Sequence, residues 1–170
     1  MSAPLRIQIP SVNAASAAAV APNQEDKIGR DDRAALVCCH EPSYLEYLTG
    51  QLRGIGYKVH HAPTQQAAVA KLTARSYSLT VLVENMEGCD LPNNAVLGHL
   101  CAMSMDERRQ TYVVMLCQSF ATGDELNAYA CSVDQVINYQ DIGQFAPLVV
   151  PAVEGHTESN RHFTAILSKR

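Results

Sequence analysis

The sequence has no tryptophan, 3 phenylalanines and no long apolar segment. No stretch approaches the roughly 18 consecutive apolar residues of a membrane-spanning helix, so we expect no membrane insertion. The net charge of −4 offers no basic surface of the kind that nucleic-acid-binding domains use, and we expect no nucleic-acid partner. Cys-x-x-Cys and His-x-x-x-His pairs are also missing, so the usual spacing of a zinc site does not occur.

What is present is typical of one globular domain with additional segments, in a chain of 170 residues of which 47% are hydrophobic. The 6 cysteines include Cys38, Cys39 and Cys117, which lie inside apolar runs. This placement indicates buried thiols in a reducing compartment rather than a disulfide framework. The N-terminus has an alanine-rich stretch in place of a leucine-rich signal segment, and we therefore expect a cytoplasmic protein.

Residues 1–32 differ in composition from the rest and are predicted to be a flexible arm that contains Ala and Pro. Within it Leu5, Ile7 and Ile9 alternate with polar residues, which is the period of a short strand. Two interpretations remain open. The pattern is either incidental in a flexible tail, or a peptide that pairs with the exposed sheet edge of a partner.

Residues 33–154 alternate between apolar, strand-like runs and amphipathic, helix-like runs. Continuous apolar strands separated by helices predict a parallel sheet covered on both faces. The predicted strands lie at 34–39, 58–61, 78–83, 112–117 and 136–137.

The C-terminal part contains apolar residues at helical spacing that are interrupted by Pro147 and Pro151. Because a proline inside a helix costs about 3 kcal/mol, we expect a short, kinked or irregular helix here. Gly155 is predicted to end it, and residues 155–170 form a C-terminal extension with a further short helix near 160–169.

One short motif carries a family resemblance. Cys39-His40-Glu41-Pro42-Ser43 follows the first apolar run and precedes an amphipathic helix that ends near Gly56-Tyr57. This arrangement resembles the start of a response-regulator receiver domain, in which the motif reads Asp-Asp-Glu-Pro-Ser. The segment 85–90 resembles the family's Met-Met-Pro-Gly-Met-Asp. The resemblance covers roughly 33–153 and implies a flavodoxin-like, doubly wound five-stranded parallel sheet of order 2-1-3-4-5.

The resemblance also implies where the phosphorylation chemistry of such a domain would lie. Cys39 and His40 take the places of the two acids that hold magnesium, and Val83 takes the place of the phospho-acceptor aspartate. Cys117 takes the place of a Ser or Thr, and Tyr139 takes the place of a lysine. Phosphoryl transfer to a receiver needs a carboxylate nucleophile, oxygen ligands for Mg²⁺ and a cation. All three are missing at these positions, so the chain is predicted to be a degenerate receiver, or pseudo-receiver, without enzyme activity.

Such domains act as docking modules in signalling, which here implies a bacterial two-component-type pathway. The family commonly meets partners through its fourth helix, fifth strand and fifth helix. This surface would include Leu126, Tyr129, Tyr139 and Phe145, and two interpretations remain open: these residues form an exposed docking patch, or most of them belong to the core. The expected partner is another protein or a second copy of the chain. No cofactor is expected.

A sensor of a metal, a small ligand or redox state is the alternative. Parallel sheets bind ligands at the carboxyl ends of their strands, where Cys39, His40, His60 and Glu84 would lie. Thiol and imidazole ligands suit soft metals, and Cys39 near Cys117 could form a thiol switch. A register slip of one residue would also place Glu84 at the phospho-acceptor position, but it would turn over the whole apolar set of the strand.

Overall fold

The computed structural model describes residues 25–29 and 31–167, with side chains through Phe163. It contains a five-stranded parallel sheet of order β2-β1-β3-β4-β5, which confirms the predicted topology. The strands are β1 (Ala34–Cys38), β2 (Lys58–Ala62), β3 (Leu79–Val83), β4 (Tyr112–Cys117) and β5 (Gln135–Asn138). The helices are α1 (Pro42–Gly54), α2 (Gln65–Ala74), α3 (Ala95–Ala102), α4 (Met105–Arg109), α5 (Glu125–Ala130) and α6 (Phe145–Leu167).

The three central strands are apolar along their whole length because both faces of the sheet are covered. Every residue of β1, β3 and β4 is buried. Burial of a Leu or Val side chain contributes about 1.5–3 kcal/mol, so these strands supply much of the hydrophobic stabilisation. The register is also fixed, since a slip of one residue would exchange the side chains that face each helical layer.

Helix α1 begins directly after the motif that resembles a receiver. Pro42 occupies its first turn, where the missing N–H costs no hydrogen bond, and Leu45, Leu48 and Leu52 form its buried face. Gly56 then takes a φ of +88°, a conformation that favours glycine, and the chain turns into β2. The carboxyl end of β1 and the start of α1 are therefore held in fixed positions.

The C-terminal region differs from the prediction. Helix α6 runs without interruption for 23 residues, with Pro151 and Gly155 inside it. Both residues lie on the exposed side, whereas Val149 and Val153 are buried against the domain. Near its end, Phe163 packs under the Arg109 guanidinium, 4.0 Å from the ring centroid. Packing along the whole helix thus outweighs the local cost of the proline and the glycine.

Residues 25–29, at the C-terminal end of the predicted arm, lie along the outer edge of β2. The Asp26 N–H donates to the Val59 carbonyl at 3.3 Å, and the Val59 N–H donates to the Asp26 carboxylate at 2.7 Å. Arg53 forms an ion pair with the same carboxylate at 3.1 Å, and Lys71 pairs with Glu25. This part of the arm therefore covers a sheet edge. The predicted strand-like residues Leu5, Ile7 and Ile9 lie outside the described residues. The division of the chain into 1–32, 33–154 and 155–170 remains a prediction.

Candidate functional site

The carboxyl edge of the sheet brings together the positions that the sequence resemblance singled out. Cys39 follows β1, Val83 ends β3, Cys117 ends β4 and Tyr139 follows β5. The pairing of Val83 with Leu116 places these strand ends side by side. Ligands of open α/β sheets bind at this edge, so it is the candidate functional site.

Two stacked aromatic rings occupy this edge. Tyr139 is 9% exposed, and its ring stacks on that of Tyr44, with centroids 5.1 Å apart and planes 21° from parallel. Burial raises the pKa of Tyr139, and the neighbouring Cys39, Tyr44, Glu84 and Cys117 groups raise it further. No sequence pattern predicts the stack, because Tyr44 lies in α1, far from Tyr139 along the chain.

The Cys39 thiol is buried beside these rings and is not activated. Its side chain is 1% exposed, and Sγ donates to the Glu41 carbonyl at 3.4 Å. Burial raises the pKa of Cys39 to about 11, so the thiol stays protonated at neutral pH. A protonated thiol is a poor nucleophile and a poor metal ligand. His40, the next residue, is exposed.

Glu84 lies one residue beyond β3 and holds the loop that follows β4. Its backbone N–H donates to the Leu116 carbonyl at 2.8 Å. Its carboxylate accepts hydrogen bonds from the backbone N–H groups of Gln118, at 2.8 Å, and Ser119, at 3.3 Å. Val83 remains the last residue of the strand, so the register slip that would exchange it for Glu84 does not occur. The carboxylate that follows the acceptor position is therefore engaged in holding a loop.

Asn138, which no sequence motif singles out, also holds the loop that follows β4. Its Nδ2 donates to the carbonyls of Gln118, at 3.3 Å, and Phe120, at 2.8 Å. Its Oδ1 accepts from the Gln140 N–H at 3.0 Å and so caps the 3₁₀ helix Tyr139–Gln144. A polar residue at the end of an apolar strand was the available signal.

The loop after β3 is fixed through the buried side chain of Gln65. Its Oε1 accepts from the Ala95 N–H at 2.6 Å, and its Nε2 donates to the Met86 carbonyl at 3.1 Å. The Gln65 N–H donates to the Glu87 carboxylate at 2.7 Å. Both loops at this edge are thus held by side-chain hydrogen bonds.

The candidate ligand His60 and its neighbour His61 have other partners. One ring nitrogen of His60 lies 2.8 Å from the Tyr77 hydroxyl and the other lies 3.1 Å from the Asp26 carbonyl. His61 donates from Nε2 to the Cys39 carbonyl at 2.7 Å. Within 25–29 and 31–167, no three His, Cys, Asp or Glu side chains form a group that could hold a metal ion. Within the described part of the chain, the metal form of the sensor interpretation therefore gains no support.

The expected interface residues separate into two classes. Leu126 is 79% exposed and Tyr129 is 84% exposed, and they lie three residues apart on one face of α5. Phe145, in contrast, is fully buried and Tyr139 nearly so. Of the two interpretations, the core one holds for these two residues, because Phe145 starts α6 against the core and Tyr139 packs on Tyr44.

Similarity to solved structures is extensive, although no family model and no curated protein sequence matches the chain. A CheY-like response regulator receiver domain protein from Methanospirillum hungatei superimposes with a TM-score of 0.60 at 13% identity, covering 76% of this chain and 99% of that one. The receiver domain of a sensor histidine kinase from Pseudomonas aeruginosa, with magnesium coordinated in its active-site cleft, gives 0.58 at 14% identity, covering 72% and 98%. A Francisella response regulator receiver domain gives 0.57 at 13%, also covering 72% and 98%.

The chain has the receiver fold. At these identities the similarity establishes the fold, whereas the chemistry depends on the residues at the site. The receiver fold here carries an unactivated thiol, a valine and a pair of stacked tyrosine rings at its carboxyl edge. None of the helices in the described part of the chain is both long and apolar enough to cross a membrane.

Proposed function

We propose that this chain is a phosphorylation-independent pseudo-receiver that binds another protein through the α5 face, defined as Leu126 and Tyr129. The observation that carries the proposal is the exposure of these two side chains, 79% and 84%, one turn apart on a short helix. Exposed apolar patches on a folded domain mark interaction sites, and a Tyr beside a Leu is typical of binding hot spots. The proposed setting is a bacterial signalling pathway in the cytoplasm.

The independence from phosphorylation follows from the side chains at the carboxyl edge. Receiver phosphorylation needs a carboxylate nucleophile, Mg²⁺ on oxygen ligands and a cation that offsets the phosphoryl charge. Val83 is apolar, the Glu84 carboxylate is held by two backbone N–H groups, and the chain has no lysine between Lys71 and Lys169. The Tyr139 ring, stacked on Tyr44, lies beside them.

The energy available at the α5 face is sufficient for a specific contact. Burial of an exposed Leu or aromatic side chain contributes about 1.5–3 kcal/mol, so two such residues can change the affinity by two or more orders of magnitude. The face needs no change in the core to become available, because both side chains already lie in solvent.

The test compares the full chain with a Leu126→Ser/Tyr129→Ser double variant and with Met105→Ser as a matched control. Met105 is also apolar and 69% exposed, but it lies on α4. Tagged proteins are expressed in the native cells, bound proteins are identified by mass spectrometry, and the affinity for the purified partner is measured by calorimetry. We expect one stoichiometric partner that binds the wild type and Met105→Ser equally and the double variant at least about tenfold more weakly.

The alternative occupant of the α5 face is a second copy of this chain, which sedimentation equilibrium would detect. A homodimer that dissociates in the double variant would show that the partner is this chain and not a different protein. Equal binding by all three proteins would refute the α5 face. A stable phosphoryl adduct after incubation with acetyl phosphate and Mg²⁺ would refute the independence from phosphorylation.

A further inference from the structure

We infer that a groove at the amino edge of the sheet, opposite the carboxyl-edge site, binds a small molecule that carries a carboxylate or phosphate group on an apolar body. The groove has a volume of about 420 Å³ and lies between the end of α2, helix α3 and helix α4. This volume is within the range of small-molecule sites. Its walls include Arg75, Tyr77, His99, Met103, Glu107 and Thr111.

Arg75 supplies the charge that would recognise an oxyanion. Its Nε is buried and has no hydrogen-bond partner among the described residues. A buried donor without a partner is costly, and more so on a charged group, so folded proteins usually provide it with an acceptor, a water molecule or an ion. The planar guanidinium presents paired N–H groups that match the two oxygens of a carboxylate or phosphate.

The surroundings of Arg75 hold the guanidinium in place while leaving this donor unused. The guanidinium carbon lies 5.7 Å from the centroid of the Tyr77 ring, a cation–π contact. The Tyr77 hydroxyl is engaged with His60 at 2.8 Å, so the ring is anchored from its far end. Because the ring is held in place, the Arg75 side chain that stacks on it has less conformational freedom to lose when a ligand binds.

Among the described residues that line the groove, the single carboxylate belongs to Glu107, and it already has hydrogen-bond partners. Glu107 Oε2 accepts hydrogen bonds from the Ser104 N–H, at 3.0 Å, and the Ser104 hydroxyl, at 2.8 Å, in a capping box at the start of α4. These hydrogen bonds lower the pKa of Glu107 and keep it ionised in that position. Among the described residues, no carboxylate forms an ion pair with Arg75. Met103 and the Tyr77 ring offer apolar contacts for the rest of a ligand.

The experiment titrates the ¹⁵N-labelled full chain with phenyl phosphate and with benzoate, followed by amide chemical shifts, with benzamide as the uncharged control. The proteins are the wild type, Arg75→Gln and, as a matched loss of one guanidinium, Arg161→Gln, since Arg161 is exposed on α6. We expect both anions, and not benzamide, to shift the amides around Tyr77, His99 and Thr111. We also expect Arg75→Gln to bind at least about tenfold more weakly, with Arg161→Gln unchanged.

Met103→Trp tests the groove without a change of charge, and it keeps the proposal testable if Arg75→Gln does not fold. The larger side chain should fill the groove and abolish the shifts. Equal binding by Arg75→Gln, or by a folded Met103→Trp, would overturn the proposal, as would shifts scattered over the surface or no binding of either anion at millimolar concentration. Inorganic phosphate alone producing the full effect would overturn the requirement for an apolar body.

Discussion

Replacement of Tyr139 by alanine should destabilise the domain strongly, because the ring fills the space between the strand ends and α1. Truncation of a buried aromatic residue to Ala costs about 3–5 kcal/mol, and a stacked aromatic pair contributes about 0.5–1.5 kcal/mol beyond its buried area. Tyr139 is 9% exposed and stacks on Tyr44 at 5.1 Å. We therefore expect Tyr139→Ala to lower the free energy of unfolding by about 3–4 kcal/mol.

Two further variants separate the ring from its hydroxyl and from its partner. Tyr139→Phe keeps the ring and should change the stability by less than about 1 kcal/mol. Tyr44→Ala removes the half-buried member of the stack and should cost about 1–2 kcal/mol, less than a fully buried ring. The double variant with both alanines should be more stable than the sum of the single losses predicts, by about 0.5–1.5 kcal/mol.

The assay is urea denaturation of each protein, followed by circular dichroism and analysed as a double-mutant cycle. A loss below about 1 kcal/mol for Tyr139→Ala would show that the ring does not pack in the folded domain. A coupling energy near zero would show that the two rings do not interact. Either result would remove the structural basis for a filled carboxyl edge.

Three other changes test separate parts of the structure. Asp26→Ala should cost about 1 kcal/mol and speed hydrogen exchange at Val59, whose N–H loses its acceptor; unchanged exchange would contradict the contact. Burial lowers the pKa of His156 below its ordinary value of 6.5, so the unfolded chain binds the proton more readily. Stability should therefore fall as the pH drops through 6.5 toward the lowered pKa, and urea titrations of His156→Gln should show a smaller fall. Pro151→Ala should raise the free energy of unfolding, measured by urea denaturation, by about 2 kcal/mol, because α6 gains a hydrogen bond. No gain would indicate that the helix is already distorted at this residue.

The sheet was the predictable part of the fold, because each central strand is an uninterrupted apolar run and adjacent runs are separated by helical patterns. The motif at Cys39 then pointed to the receiver topology and hence to the order of the strands. The end of the chain was not predictable in the same way. Pro151 and Gly155 are local signals for a helix end, but the contacts of Val149 and Val153 with the core are made only in the folded domain.

The candidate site, like the fold, was only partly predictable from the sequence. The residues at the strand ends could be placed at one edge from the sequence, since parallel strands all end there. Their surroundings could not. The stack of Tyr44 on Tyr139 joins residues far apart in the chain. The hydrogen bonds that the Gln118 and Ser119 N–H groups donate to Glu84 depend on how a loop folds back. Side-chain partners across loops carry no periodic signal.

The contact between residues 25–29 and β2 has a practical consequence for the behaviour of shortened chains. An exposed edge strand has unpaired N–H and C=O groups that can pair with the edge of another molecule and start aggregation. Asp26 uses both its backbone and its carboxylate to occupy these groups at Val59. A shortened chain that begins at β1 would lack residues 25–29, and we expect it to self-associate through β2. The short acidic segment 25–29 thus protects the domain against misassembly.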